Sequence, residues 1–210
     1  MKSKLIIAAL LSVAFNPVLA ESKFVANLDK VVADSFKPGP GQDLSRLVQD
    51  ETQKVCSETR NNPSAAQAAA INAREAANIK YPASGKLMGD WKSGEKLVKG
   101  GFGMRIGNIE PDKAERQKGG NGGNCYACHA IDPKEVAAGN LGPSLTGYGA
   151  LRGSSEEIVK YTYDKLYNTQ ATVACSNMPR VGHNGILTPE QIADVTAYLV
   201  SPESSLNQKK

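Results

Sequence analysis

The sequence carries little net charge and lacks long apolar runs. Its 210 residues contain 25 lysines and arginines against 21 aspartates and glutamates, which gives a formal charge of +4. Because so small an excess leaves no electrostatic footprint for nucleic acid, we expect no nucleic-acid partner. The apolar run over residues 5–15 is too short to cross a bilayer comfortably, and no later stretch approaches that length. We therefore expect no membrane span.

This short apolar run has the flanks of an export signal. Lys2 and Lys4 precede it, an Asn-Pro pair ends it, and Val18 and Ala20 provide small residues before a cleavage point. The pattern predicts a secretory signal peptide over residues 1–20, cleaved after Ala20, and hence a periplasmic mature protein. Cleavage removes both lysines and lowers the formal charge to +2. A retained membrane anchor is the alternative.

Cysteine is scarce, and two of the four cysteines belong to one motif. Cys125 and Cys128 are separated by two residues, and His129 follows at once. This is the spacing of a c-type haem attachment site, in which two thiols bond to one porphyrin and the histidine becomes the proximal iron ligand. We therefore expect one covalently bound haem c. The alternatives are a redox dithiol, which needs a βαβ context, and half of a zinc site, which needs a second Cys/His pair nearby.

The loop after the motif contains a Gly-Pro pair. Gly142 and Pro143 predict a turn whose carbonyl faces the His129 imidazole. Such a partner would fix the tautomer and the orientation of a ligating histidine.

The other two cysteines form an even pair in an exported chain. Cys56 and Cys175 are therefore predicted to form a disulfide. The bond would close a loop of roughly 120 residues and contribute about 5 kcal/mol in the chain-entropy model. It would also connect the N-terminal part of the chain to the loop that precedes the last helix.

The distal side of a haem used for electron transfer needs a sixth ligand. Met178 is the preferred candidate, because it lies in the loop between the two C-terminal helices and Pro179 after it stiffens that loop. His183 is the second candidate, and bis-histidine ligation would lower the potential relative to Met/His. The remaining sulfur candidates are Cys175, Met88 and Met104.

Helix signals dominate and strand signals are weak throughout, so we expect a mostly α protein. The start signals are Asp43 for a helix through Cys56, Ser64 for an alanine-rich helix to about Ile79, Asp90, Ser154–Glu157, and a Thr188 capping box.

Four segments around these features resemble one known family. They are residues 123–130, 139–145, 177–182 and 187–192, and together they resemble SoxX, the monohaem subunit of the SoxAX cytochromes of bacterial sulfur oxidation. The haem motif alone is shared by all class I cytochromes c, whereas the Gly-rich insert before it and the methionine loop make the resemblance more specific. The resemblance covers roughly residues 85–202.

The resemblance implies a class I cytochrome c fold with an N-terminal helical extension. The expected organisation is a signal peptide at 1–20, a helical extension at 21–84, a cytochrome c domain at 85–202 and a polar tail at 203–210. Carried over to this sequence, Cys125 and Cys128 bind the haem, His129 is proximal and Met178 is distal.

The resemblance also implies a function and partners. SoxX would form a heterodimer with a SoxA-like cytochrome, and the pair would be similar to an L-cysteine S-thiosulfotransferase. That enzyme oxidatively joins thiosulfate to a cysteine of a SoxYZ-like carrier complex and releases two electrons. The sulfur chemistry would occur on the SoxA-like subunit, and this chain would pass electrons to a small acceptor cytochrome, so no catalytic residue is expected here.

The residues by themselves leave three functions open. The chain is an electron-transfer subunit of such an enzyme, a free cytochrome c that serves another periplasmic oxidase or reductase, or a haem sensor or peroxidase-like protein with an open distal site. A free carrier would purify as a monomer, a subunit would copurify with its partner, and a sensor would bind carbon monoxide readily.

Overall fold

The computed structural model describes residues 30–38, 44–100 and 122–208. The predicted signal peptide, Asp43, Met104 and most of the Gly-rich insert lie outside these residues. The chain divides into two compact units, Met1–Val48 and Gln49–Lys210. In the first unit, residues 30–35 are helical and Ser45–Leu47 form a short 3₁₀ helix.

The second unit is built from helices. They are α1 (Glu51–Glu58), α2 (Ala65–Ala76), α3 (Trp91–Lys99), α4 (Tyr148–Arg152), α5 (Glu156–Tyr167) and α6 (Pro189–Val200). Two 3₁₀ helices, Cys125–Ala127 and Thr169–Ala171, lie between them. No strand occurs among the described residues, and the predicted mostly α class is confirmed.

Capping residues set where these helices begin. Thr188 accepts a hydrogen bond from the Gln191 amide, and the Gln191 side chain returns a bond to the Thr188 backbone, so the predicted capping box before α6 is confirmed. Pro189 occupies the first helical position, where its missing N–H costs nothing. A second capping box, between Ser64 and Gln67, starts the alanine-rich helix α2.

The helix predicted from Asp43 through Cys56 is wrong in its start. After the 3₁₀ turn the backbone leaves the helical conformation, and α1 begins only after Asp50. The physical reason is a better cap, because Asp50 accepts from the Gln53 amide while the Gln53 side chain bonds back to the Asp50 amide.

Helices α3 and α6 cross at very short distance. A Cβ atom on Gly94 would lie 2.0 Å from the carbonyl oxygen of Asp194 in α6, so only glycine permits this approach. The Asp90 side chain caps α3, and the Asp90 amide donates to the Asp194 carboxylate at 2.7 Å. The crossing therefore brings the first helix of the predicted cytochrome c domain onto the last one.

The main apolar core lies between α3, α5 and α6. Its buried members are Leu97, Val98, Tyr126, Ile131, Tyr163, Leu166, Tyr167, Leu187, Ile192, Ala193, Val195, Tyr198, Leu199 and Val200. A smaller apolar cluster contains Cys56, Ile71 and Cys175.

Residues 49–84 share one compact unit with the rest of the chain to its C-terminus. The domain boundary near residue 84 stays a prediction from the sequence. Within the described ranges no helix combines the length and the apolar character that a bilayer crossing requires.

Candidate functional site

The Cys-x-x-Cys-His motif folds into one tight turn. Cys125–Ala127 forms the 3₁₀ turn, and Asn124 before it adopts the left-handed region with φ 48°. The amides of Cys128 and His129 both donate to the Cys125 carbonyl, at 3.1 and 2.9 Å. Backbone hydrogen bonds therefore place the two thiols and the imidazole on one compact turn.

Cys125 and Cys128 carry free thiols. Cys125 packs against the main apolar core, and burial raises the pKa of its thiol to about 11. A redox-active dithiol requires the opposite, a thiol with a depressed pKa. In the described part of the chain, no three His, Cys, Asp or Glu side chains cluster as a metal site.

The His129 ring is held by the loop that follows it. Its Nδ1 lies 2.7 Å from the Pro143 carbonyl oxygen, which confirms the turn partner predicted from the Gly-Pro pair. A carbonyl can only accept, so Nδ1 carries the proton and donates, and Nε2 keeps its lone pair. This is the tautomer that a histidine needs in order to bind a metal through Nε2.

Gly142 packs directly on the same ring. A Cβ atom at this position would lie 2.2 Å from His129 Cε1, so any side chain would displace the imidazole. The Gly142 amide donates to the Cys128 carbonyl at 2.8 Å, which ties the loop to the motif. The glycine is therefore a steric requirement of the histidine orientation.

Met178 lies in the loop between the 3₁₀ turn Thr169–Ala171 and α6. It is partly buried, it packs against the same apolar core as Cys125, and its amide donates to the Ser176 hydroxyl at 3.2 Å. The structure thus brings Cys125 and Met178 to one core, and the distal role of Met178 stays a prediction.

The other candidate ligands have other surroundings. Cys175 is bonded to Cys56 in a disulfide, so its sulfur is no thiolate ligand. The Nδ1 of His183 lies 3.9 Å from a Glu75 carboxylate oxygen. Met88 is partly buried against the main core.

The disulfide joins α1 to the methionine loop. Cys56 is on α1, and Cys175 comes three residues before Met178, with an S–S distance of 2.10 Å. Both half-cystines are buried beside Ile71 of α2. The bonded cysteines are the pair selected by parity in the sequence.

A buried ionic cluster lies next to this disulfide, and no sequence pattern indicated it. We call it the Glu75 cluster; its members are Asp50, Thr52, Glu75, Asn168 and Arg180. Glu75 lies within the alanine-rich α2, and Arg180 follows the Met-Pro pair. The one signal available in the sequence is the adjacent Arg74-Glu75 pair in a run of alanines, which does not specify a partner.

The electrostatics of this cluster favour its charged form. Burial by itself would raise the pKa of Glu75, but hydrogen bonds from Thr52 and Asn168 and the charge of Arg180 hold that pKa below its ordinary value. The same balance applies to Asp50. Burial would raise its pKa, but the hydrogen bond from the Gln53 amide and the charge of Arg180 outweigh burial and lower that pKa. Both carboxylates are therefore ionised at neutral pH.

The donor set near Cys125 has the chemistry that a c-type haem requires. It offers two free thiols, an imidazole whose Nε2 is available, and a thioether on the same core. Cys125, Cys128 and His129 would hold the group, and Met178 would supply a second ligand to its iron.

Two comparisons with known proteins found similarities to this chain. Residues 117–202 match the family model described as cytochrome c. The chain is also 43% identical over 162 residues to an uncharacterized lipoprotein of Aquifex aeolicus (strain VF5), covering 76% of this chain and 73% of that protein. With the helical fold and the attachment turn, these findings show that residues 117–202 of this chain belong to the cytochrome c family.

Proposed function

We propose that this chain is the electron-transfer subunit of a SoxAX-type L-cysteine S-thiosulfotransferase. The cytochrome c domain supports electron transfer by a c-type cytochrome, and a domain of this family implies covalently bound haem c. The finer assignment rests on the four SoxX-like segments of the sequence.

The chain's own residues have distinct tasks in this proposal. Cys125 and Cys128 would attach one haem, and the Pro143 carbonyl, 2.7 Å from Nδ1, orients the His129 ring so that its Nε2 could bind the iron. Met178 would supply the second iron ligand. The haem supplies one-electron redox chemistry when bound, and the protein tunes it through the axial ligands and the apolar surroundings.

The partners follow from the same assignment. A SoxA-like cytochrome would form the heterodimer and carry out the sulfur chemistry, in which a carrier cysteine and thiosulfate become an S-thiosulfonate and release two electrons. A SoxYZ-like complex would present that cysteine. This chain would receive electrons and deliver them to a small acceptor cytochrome.

We also propose that the mature chain is periplasmic. The N-terminal segment has the pattern of a secretory signal, with cleavage after Ala20. The Aquifex relative is named a lipoprotein, which supports export.

The number of haems is tested by mass. We expect the purified mature protein, denatured, to show a mass increase of one haem, because the sequence contains a single attachment motif. The Cys125→Ala/Cys128→Ala variant, exported in the same way, should show none. Loss of the haem from the wild type on denaturation would contradict covalent attachment.

The enzymatic role is tested by reconstitution. We expect thiosulfate-dependent reduction of a small c-type acceptor only when a SoxA-like subunit, a SoxYZ-like carrier and this chain are all present, since the sulfur site lies on the partner. The matched control replaces this chain by an unrelated monohaem cytochrome c. Full turnover by this chain alone would refute the subunit assignment, and equal turnover with the control would favour a free carrier.

A further inference from the structure

The segment from Asn168 to Arg180 is fastened to α1 and α2 at three points. Near its start, the Asn168 side chain donates to Glu75 Oε2 at 2.7 Å. In its interior, Cys175 is bonded to Cys56 of α1. Its end is held by Arg180, which donates to both carboxylates of the Glu75 cluster.

Arg180 is the strongest of the noncovalent attachments. Its guanidinium is 2.5 Å from Asp50 Oδ2 and 3.4 Å from Glu75 Oε2. The side chains of Arg180 and Glu75 are only 8% and 4% exposed. A buried ion left without its partner is strongly unfavourable, so each charge holds the other in place.

The Glu75 carboxylate accepts hydrogen bonds from both ends of the segment. Its Oε2 accepts from Asn168 and from Arg180, while its Oε1 accepts from the Thr52 hydroxyl of α1. A single side chain of α2 therefore fixes the distance between the two ends of the loop.

Met178 lies between the second and third attachments. Cys175 has φ 57°, a left-handed conformation that non-glycine residues seldom adopt. Such a conformation persists where the surroundings over-determine it, and here the disulfide and the bond from the Cys175 amide to the Gln170 side chain at 2.5 Å do so. Two residues after Met178, Arg180 is anchored in the cluster.

We propose that the Glu75 cluster is a positioning device that keeps the Met178 loop closed over the distal side of the haem. The two-helix segment α1–α2 thereby serves as the support of the sixth ligand. This inference rests on the proposed ligation by Met178. Glu75 and Arg180 do not touch the ligand themselves; they act through the loop.

The test uses the ferric holoprotein and two graded variants. Glu75→Gln keeps the shape and removes the charge that faces Arg180. Asp50→Asn also removes a charge but keeps an N-cap residue for α1, so it perturbs the fold less. If Glu75→Gln does not fold, the result for Asp50→Asn decides whether the cluster positions the Met178 loop.

The first readout is the binding of added imidazole, which must displace the loop before it reaches the iron. The apparent affinity scales with the open fraction, so we expect the apparent dissociation constant to fall about 10-fold in Glu75→Gln and about 3-fold in Asp50→Asn. The second readout is hydrogen exchange of the peptide over residues 172–182, which we expect to become faster by similar factors.

The matched control is Asn207→Ala. Asn207 accepts from the Gly149 amide at 2.8 Å and donates to the Leu199 carbonyl at 3.0 Å, away from the Met178 loop. This variant should lose global stability without a change in imidazole affinity or in exchange of the loop peptide. A merely structural role of the cluster would make Glu75→Gln behave like Asn207→Ala.

Failure of the inference and failure of the ligand assignment are separable. If the wild type lacks the near-infrared band of methionine ligation, Met178 is not the ligand, and loop exchange alone then decides the role of the cluster. Unchanged loop exchange in both Glu75→Gln and Asp50→Asn would overturn the inference.

Discussion

Met178→Ala is expected to abolish the weak near-infrared sulfur-to-iron band of the ferric protein and to lower the reduction potential. A thioether is a soft, neutral ligand that favours ferrous over ferric iron, so His/Met haems have high potentials. Water or the His183 imidazole in its place favours the ferric state. Axial ligands move haem potentials over about 0.8 V, and we expect a decrease of roughly 0.1 V or more.

The matched control for this experiment is Met88→Ala. Met88 is also a partly buried methionine packed against the main core, so its removal has a comparable packing cost. It should leave the band and the potential near their wild-type values. Circular dichroism first establishes that each variant is folded. A band that persists in folded Met178→Ala would identify another sulfur as the ligand.

The second large effect is expected on stability. Removing the disulfide by Cys56→Ala/Cys175→Ala should lower the free energy of unfolding by about 5 kcal/mol, because the bond closes a loop of roughly 120 residues in the unfolded chain. Alanine avoids burying an unpaired hydroxyl at two buried positions. Urea unfolding at constant haem content measures the change.

Two further measurements make the disulfide result decisive. Peptide mapping without reduction should recover the Cys56–Cys175 link, and selective reduction of the wild type should reproduce the loss of stability. Two free thiols in the denatured, unreduced protein would contradict the bond. A double variant as stable as the wild type would show that the closed loop contributes little.

The disulfide variant and Met178→Ala are also linked through the loop that contains Cys175 and Met178. The disulfide fastens the loop three residues before Met178, so its removal should weaken the near-infrared band before the protein unfolds. Met178→Ala leaves the disulfide untouched, so non-reducing peptide mapping of that variant should still recover the Cys56–Cys175 link.

Local chemistry was readable from the sequence. The attachment turn needs residues within a span of five positions, and the Thr188 capping box needs partners three residues apart. Such hydrogen bonds form wherever the backbone enters the required conformation, so pattern alone predicts them. The Pro143 partner of His129, fourteen residues away, was also accessible because a Gly-Pro pair restricts the loop.

The disulfide was predictable from the number of cysteines rather than from a local pattern. Four cysteines with two assigned to the haem leave one possible pair, so no geometry was needed. The predicted start of the helix through Cys56 was wrong, because Asp43 and Asp50 are equivalent by residue type and the sequence pattern did not distinguish them. In the structure the N-cap is Asp50, because Gln53, three residues on, completes a capping box. The Asp50 carboxylate also forms an ion pair with Arg180.

Only the tertiary structure decided the environment of the Met178 loop. Arg180 forms ion pairs with Glu75, which is 105 positions away in the sequence, and with Asp50, which is 130 positions away. No local spacing encodes such a meeting, because a charged residue on a helix is solvated unless packing removes the water around it. Once α1 and α2 pack beside the loop, the buried charges have to pair, since desolvation without a partner costs too much. The sequence by itself thus determined the haem chemistry and the helical class, while packing determined what supports the proposed sixth ligand.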